Sequence, residues 1–305
     1  MKKMLTVRDL HLAIRTGEKL VPVLRGINLN LPQGEVHGLV GESGAGKTML
    51  GRVILDILPP NAVVTAGHVD YATTGSPIKS GGRIFSDRGR SGISLIPQDP
   101  MTSLNPVKKI GKQMVEILKL AHTGPPRALQ ERAEALLAEV RIKKPKEVLK
   151  QYPHHLSGGM RQRVVIAMAL ACEPRLLIAD EPTTALDVTI QAEILALMNR
   201  LKRETGTAVM FITHDMSVVA QMADLVVVMF RGNKVEEGTV TEIFENPQHD
   251  YTKALLAAVP KLGEMTGKPL PEPMKLLGRE QADIQPIEGT DQPLLTVKNL
   301  VTRFP

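Results

Sequence analysis

An apolar run followed at once by a glycine-rich octapeptide constrains the fold of this chain more than any other feature. The run, Glu35–Val40, predicts a buried strand, and residues 41–48 read Gly-Glu-Ser-Gly-Ala-Gly-Lys-Thr. Apolar residues then recur at helical spacing from Lys47 to about Leu58, before a pair of prolines. A strand, a tight turn and a helix in this order predict an α/β unit of a mostly parallel sheet.

The octapeptide predicts a binding site for the phosphates of a nucleotide. Its glycines let backbone N–H groups face a phosphate at the positive end of the following helix. Lysine at its seventh position supplies a point charge for the β- and γ-phosphates, and the threonine hydroxyl can reach Mg²⁺. We therefore expect the whole loop to bind nucleotide through Gly41, Glu42, Ser43, Gly44, Ala45, Gly46, Lys47 and Thr48.

A second apolar run ends in two carboxylates. Leu176–Ala179 predicts a buried strand, and Asp180 and Glu181 stand at its end. Because acids at the tip of a core strand are costly, they indicate a site where a cation or water uses them. We assign Asp180, with Thr48, to Mg²⁺, and Glu181 to positioning and deprotonating an attacking water. Taken alone, the pair could instead be a helix N-cap before Pro182.

The tripeptide Ser157-Gly158-Gly159 predicts a second anion site, at the start of a helix over residues 160–171. Ser157 can cap that helix, and the two glycines expose backbone N–H groups at its positive end. A single nucleotide can use both anion sites if two copies of the chain pack head to tail. Taken alone, the three residues could be simply a loop and a cap.

Three further polar residues complete the candidate site. Gln98 follows an apolar stretch, where an amide can touch Mg²⁺ or water and sense a γ-phosphate. His214 follows a predicted strand over residues 208–213 and can hydrogen-bond the γ-phosphate and the water, although a lone histidine there could be structural. Asp187, in Thr-Ala-Leu-Asp, could meet a partner subunit.

Composition narrows the class of protein. The 305 residues carry a net charge of +6, which fits either ordinary solubility or an anionic partner. Aromatic residues make up 3% with no Trp, which argues against a stacking surface for single-stranded nucleic acid. Cys172 is the only cysteine, so we expect a reducing compartment. Because no apolar run is long enough to span a membrane and no signal-peptide pattern follows Met1, we expect the isolated chain to be soluble and cytoplasmic.

The order of the segments predicts a core interrupted by a helical insertion. Short strands over residues 4–10 and 22–31 precede the octapeptide, and strands and helices alternate again over residues 175–230. Between them, apolar residues at helical spacing predict a helical subdomain at about 99–170.

The C-terminal part differs in composition from the core. A short helix is expected over residues 250–259, and six prolines within 260–293 predict a linker. Residues 294–304 then repeat the pattern of residues 4–14. We predict three parts: a nucleotide-binding domain over 1–240, an extension and linker over 241–293, and the start of a second, truncated nucleotide-binding domain over 294–305.

Together these segments resemble the nucleotide-binding subunit of ABC transporters. The resemblance covers residues 4 to about 260 and rests on six motifs in order: Walker A (41–48), the Q-loop (Gln98), the signature (156–160), Walker B (176–181), the D-loop (185–187) and the H-loop (His214). It implies an α/β P-loop NTPase (RecA-like) core with N-terminal antiparallel strands, an inserted α-helical subdomain and a C-terminal extension. The implied cofactors are ATP and Mg²⁺.

Other segments are similar to the oligopeptide, dipeptide and nickel importer branch, namely residues 100–106, 152–163 and 247–260. Some members of that branch, including glutathione import ATPases, carry two cassettes in one chain. The resemblance implies that a second cassette, from a tandem copy or a homodimer, shares two ATP with this one. It further implies two membrane permease subunits, an external solute-binding protein acting indirectly, and a position at the cytoplasmic face of the cell membrane.

The implied function is ATP hydrolysis that powers import of a small solute such as a peptide or glutathione, without nucleic acid. One alternative is a soluble ABC-type ATPase that acts on nucleic acid or the ribosome. Another is a catalytically weak regulatory cassette. Ile14 favours the latter, because the family usually places there an aromatic that stacks on adenine.

Overall fold

The computed structural model describes residues 3–71, 92–183, 188–259 and 295–301. Residues up to Val259 belong to one unit, and those from Pro260 to a second. In the second unit, residues 295–301 form neither helix nor strand, and the predicted linker lies outside the described residues. Across the described ranges, no helix is both long and apolar enough to cross a membrane.

The described residues form both strands and helices, with a run of helices between the fifth and sixth strands. The strands are β1 (Lys3–Thr16), β2 (Lys19–Pro32), β3 (Val36–Val40), β4 (Ala62–Tyr71), β5 (Ile93–Ile96), β6 (Leu176–Asp180), β7 (Ala208–Ile212), β8 (Leu225–Phe230) and β9 (Asn233–Thr239). The α-helices are α1 (Lys47–Leu55), α2 (Pro100–Ser103), α3 (Ile110–Ala121), α4 (Pro126–Glu139), α5 (Pro145–Val148), α6 (Gly158–Leu170), α7 (Val188–Thr205), α8 (Met216–Met222), α9 (Val240–Glu245) and α10 (Asp250–Ala257).

The N-terminal strands form an antiparallel sheet in the order β2-β1-β4. β1 and β2 are longer than the predicted strands because their pairing continues to Thr16 and Lys19, around a turn in which Gly17 has a φ of +62°. β4, which the sequence pattern did not predict, pairs along the other edge of β1.

The core sheet has the order β5-β6-β7-β3-β8-β9, and its strands are parallel except for the antiparallel edge strand β9. The mostly parallel sheet expected from the sequence is therefore confirmed. In its register Ile212 lies opposite both Leu39 and Asp180, and Ile96 lies opposite Ala179. The carboxyl ends of four strands consequently meet at one edge, where the candidate residues follow them.

Helix boundaries differ from the predicted ones by a few residues, for local backbone reasons. α1 ends at Leu55 rather than Leu58, because Asp56 adopts a left-handed conformation with a φ of +52°. α6 begins at Gly158 because Ser157 caps it by accepting from the Met160 N–H at 3.3 Å. α7 ends next to Gly206, the predicted stop, whose φ is +65°.

Residues 241–259 of the predicted extension pack on the core sheet. Tyr251 of α10 and Ile243 of α9 lie in one apolar cluster with Val226 and Val228 of β8. Burial of these side chains fixes both helices beside the strand that follows α8. The extension is thus held next to the loop between β3 and α1, because Val40 belongs to the same cluster.

Candidate nucleotide site

The loop between β3 and α1 requires glycine at two positions. Gly41 has a φ of +146°, and a Cβ there would lie 2.1 Å from the carbonyl oxygen of Met229. Gly46 has a φ of +101°, and its Cβ would lie 2.8 Å from a methyl group of Leu24. A side chain at Gly41 would displace the loop from β8, and at Gly46 the positive φ would strain any residue other than glycine.

Lys47 lies at the start of α1 and turns back onto the loop. Its ammonium donates to the carbonyl oxygens of Gly41 at 2.6 Å and Glu42 at 2.9 Å. Burial lowers the pKa of Lys47, while the carboxylates of Glu181, Asp180 and Glu42 act in the opposite direction. The rest of the loop is divided by exposure, with Glu42, Ser43 and Gly44 exposed and Ala45 and Gly46 buried.

Thr48 and Asp180 form a pair of oxygen donors beside that lysine. The Thr48 hydroxyl donates to Asp180 Oδ1 at 3.1 Å, and Asp180 is only 7% exposed. Burial raises the pKa of Asp180, against the opposing effects of the Thr48 hydrogen bond and of Arg52 and Lys47. A hydroxyl and a carboxylate are ligands that Mg²⁺ prefers, so this pair fits the ion.

We expect Asp180→Asn to raise the thermal unfolding midpoint of the chain in the absence of nucleotide and metal. The amide keeps an acceptor for Thr48 and removes a buried charge. A carboxyl whose folded-state pKa is raised stabilises the fold below its unfolded pKa and loses that contribution as pH rises through the folded pKa. The gain should therefore be largest at neutral pH and shrink in acid.

Differential scanning fluorimetry at neutral and acidic pH measures this effect. The matched control is Asp70→Asn on β4, whose side chain is 42% exposed and should change the midpoint little. A midpoint for Asp180→Asn that is equal to or below that of the unmodified chain at neutral pH would contradict the expectation.

Glu181 lies at the centre of a second group of side chains. Its carboxylate accepts from Gln98 Nε2 and from His214 Nδ1, both at 3.1 Å. Its backbone is left-handed, with a φ of +46°, and its N–H donates to the Ile212 carbonyl at 2.9 Å. Such a backbone costs about 1–3 kcal/mol in a residue other than glycine and persists only where the surroundings fix it.

These contacts orient a carboxylate at the edge of the sheet. The Glu181 side chain is 14% exposed, and that of His214 is 54% exposed. Because an ionised carboxylate can only accept, a neutral His214 carries its proton on Nδ1. The three residues predicted to be catalytic are therefore brought together from the ends of β5, β6 and β7, with Glu181 next in the chain to Asp180.

The predicted second anion site lies in a separate cleft of about 1240 Å³. Ser157, Gly158 and Gly159 line this cleft, and none of residues 41–48 does. Its charged lining is mostly basic, although Glu193 forms an ion pair with Arg163. The basic residues are Arg141, Lys143, Arg163, Arg200 and Arg203.

Two predicted roles are not tested by these contacts. Gln98 was expected beside Mg²⁺ or water. In this structure its amide donates to Glu181, and its place beside the ion stays a prediction. Asp187 lies outside the described residues.

Comparison with known protein families shows which family this chain belongs to. The model of the ABC transporter family matches residues 24–184, more than half of the 305 residues. The chain belongs to the ABC transporter family. A second model, of the C-terminal region of oligopeptide/dipeptide transporters, matches residues 235–281. The family and the branch expected from the motifs are both confirmed.

Curated relatives of this ABC cassette are glutathione import ATP-binding proteins called GsiA. The protein of Shigella boydii serotype 4 is 44% identical over 99% of the chain, and that of Escherichia coli K12 is 43% identical over 99%. The protein of Pectobacterium atrosepticum is 43% identical over 100%. The chain spans about half the length of these relatives, namely 50%, 50% and 51%.

Solved structures confirm the fold. The dimeric ATP-binding cassette MJ0796, in a post-hydrolysis state bound to ADP and Pi, is 25% identical with a TM-score of 0.68. The match covers 78% of this chain and 99% of that one. The cassette cbiO1 of Clostridium perfringens is 27% identical with a TM-score of 0.66, over 81% and 92% of the two chains.

The sequence patterns did not predict one contact of the phosphate loop. The Glu42 N–H donates to the hydroxyl of Tyr251 at 2.8 Å, across 209 positions of the chain. Tyr251 is one of only three tyrosines and lies in a predicted helix, but no local spacing connects it with the loop.

Proposed function

We propose that this cassette binds ATP and Mg²⁺ between its own phosphate loop and the signature segment of a second cassette, and that hydrolysis powers import of a small solute. The observation that carries the proposal is the division of the site. Lys47, Asp180 and Glu181 meet at one sheet edge, whereas Ser157 lies in a different cleft. A second chain can supply the missing half of each site.

The phosphate loop would hold the triphosphate. Lys47 can exchange the two loop carbonyls for oxygens of the β- and γ-phosphates, and the N–H groups at the start of α1 face the same position. Thr48 and Asp180 would hold Mg²⁺, with Gln98 as a further ligand once its amide leaves Glu181. The ion neutralises charge on the β- and γ-phosphates when it is bound.

Glu181 would act as the base of the reaction. Its carboxylate takes a proton as water forms a bond to the γ-phosphorus, and the bond from that phosphorus to the oxygen of ADP breaks. His214 orients the carboxylate from its exposed side and can reach the γ-phosphate. Gly158 and Gly159 of the second cassette would present N–H groups to the same phosphate.

The role in import is inferred from the relatives and from the C-terminal match. The proposed cargo class is a peptide, glutathione or a similar solute. The proposed partners are a second cassette, as a tandem copy or a homodimer, two membrane permease subunits and, indirectly, a solute-binding protein. Asp187 would contact the second cassette, and the assembly would lie at the cytoplasmic face of the cell membrane.

The concentration dependence of turnover tests this function. We expect the purified chain to hydrolyse MgATP slowly, with a steady-state rate per subunit that falls on dilution, because each site needs two chains. Phosphate release measured over a wide range of protein concentrations checks this. A rate per subunit that stays constant on dilution would contradict the shared site.

A further inference from the structure

The C-terminal extension contacts the phosphate loop through the hydroxyl group of Tyr251. The Tyr251 hydroxyl of α10 accepts from the Glu42 N–H at 2.8 Å, and the residue is 2% exposed. The ring stacks on Phe230 of β8, with centroids 4.2 Å apart at 29°. The contact joins the region matched by the ABC transporter model to the region matched by the C-terminal model.

The start of α10 is anchored independently of the loop. Glu236 of β9 accepts from the N–H groups of Gln248 at 2.6 Å and His249 at 3.1 Å. His249 in turn caps the helix by accepting from the Tyr251 N–H at 3.1 Å. Contacts with β8 and β9 therefore fix the position of the tyrosine hydroxyl. We infer that the conformation of the loop depends on the hydroxyl rather than the reverse.

The bonded N–H belongs to the same peptide group that holds the lysine. The planar unit between Gly41 and Glu42 carries the Gly41 carbonyl at one side and the Glu42 N–H at the other. Its carbonyl accepts from Lys47 at 2.6 Å, while its N–H donates to Tyr251. Because Gly41 has no side chain, it restricts the orientation of this unit less than another residue would. The hydrogen bond to the tyrosine hydroxyl therefore helps to fix the peptide plane whose carbonyl accepts from Lys47.

We propose that Tyr251 is a positioning residue for nucleotide binding, which orients the Gly41–Glu42 peptide and through it Lys47. The expected effect on ATP binding rests on the proposed function. The orientation of the Gly41–Glu42 peptide does not, because it is present in the chain without nucleotide. The C-terminal extension is on this account part of the phosphate site.

The test compares Tyr251→Phe with a matched variant, Tyr71→Phe. Both keep a buried ring and lose one hydroxyl, but the Tyr71 hydroxyl donates to the Gly92 carbonyl at 3.1 Å, away from the loop. For Tyr251→Phe we expect the KM for ATP to rise about 3- to 10-fold, the range for one lost hydrogen bond, with kcat changed less than about 2-fold. Tyr71→Phe should leave KM unchanged.

Amide hydrogen exchange without nucleotide gives a second measurement. Exchange at Glu42 should accelerate in Tyr251→Phe and stay unchanged in Tyr71→Phe, because only the first variant removes its acceptor. Unchanged KM and unchanged exchange would overturn the inference while leaving the proposed function intact. An equal rise of KM in both variants would also overturn the inference, because it would indicate a general loss of stability rather than the loss of the contact with the loop. A parent chain that neither binds nor hydrolyses ATP would refute the proposed function, and exchange at Glu42 would still decide the orientation.

Discussion

Glu181→Gln should retain ATP binding and lose turnover by about 100- to 10,000-fold, the usual contribution of a positioned general base. The side chain keeps its length and can still contact Gln98 and His214, but an amide takes up no proton from water. Lys47, Thr48 and Asp180 are unchanged, so the affinity for MgATP should stay close to that of the parent chain. Phosphate release and equilibrium binding of ATP measure the two quantities separately.

A surface carboxylate provides the control for this variant. Glu131→Gln makes the same chemical change on α4, where the side chain is 65% exposed and pairs with Arg127. Its turnover should match that of the parent chain, since exposed ion pairs contribute little. Full activity in Glu181→Gln would remove Glu181 from the role of base, whereas a parallel loss of ATP binding would indicate damage to the site.

Gly158→Asp should reduce turnover by about 100-fold or more. The new carboxylate would face the γ-phosphate that is bound to the phosphate loop of the other cassette, and the two negative charges repel each other. The fold should tolerate the change. Gly158 does not have a positive φ, and no described atom would lie within 4 Å of an added Cβ. An acidic residue in the first turn of α6 is also favourable to the helix dipole, so the thermal midpoint should not fall.

Gly158→Asn separates charge from size. Asparagine has nearly the shape of aspartate without its charge, so its loss of activity should be clearly smaller. Binding of ATP to the isolated subunit should be the same in both variants, because the phosphate loop is untouched. If both variants lost activity equally, steric exclusion rather than repulsion of phosphate would be the cause.

The residues at the carboxyl edge of the sheet could be predicted because each of them directly follows an apolar run in the sequence. Apolar runs followed by polar residues mark strands whose ends meet at one edge of a parallel sheet. In the structure Asp180 and Glu181 lie near Lys47 of the phosphate loop, and His214 contacts Glu181, while their catalytic roles stay predictions. The contact between Gln98 and Glu181 was not predictable, because an amide can serve either a cation or a carboxylate, and only the geometry decides.

Three features that were not predicted from the sequence are β4, the end of α1 and the contact of Tyr251 with the phosphate loop. β4 was missed because Ala62–Tyr71 alternates weakly and is defined by its pairing with β1. The last turn of α1 was overestimated because nothing in the pattern marks Asp56 as left-handed. The contact of Tyr251 with the loop joins residues 209 positions apart, which no periodicity in a single sequence can report.

Mixing two inactive variants tests the shared site most directly. Lys47→Ala removes the positive charge that contacts the phosphates in one half of a site. Gly158→Asp places a negative charge in the other half, which the second chain supplies. In an equal mixture half of the dimers are hybrids, and each hybrid keeps one of its two sites intact, so activity should recover to about one quarter of the parent value. A mixture that stays as inactive as its two components would contradict a site built from two chains.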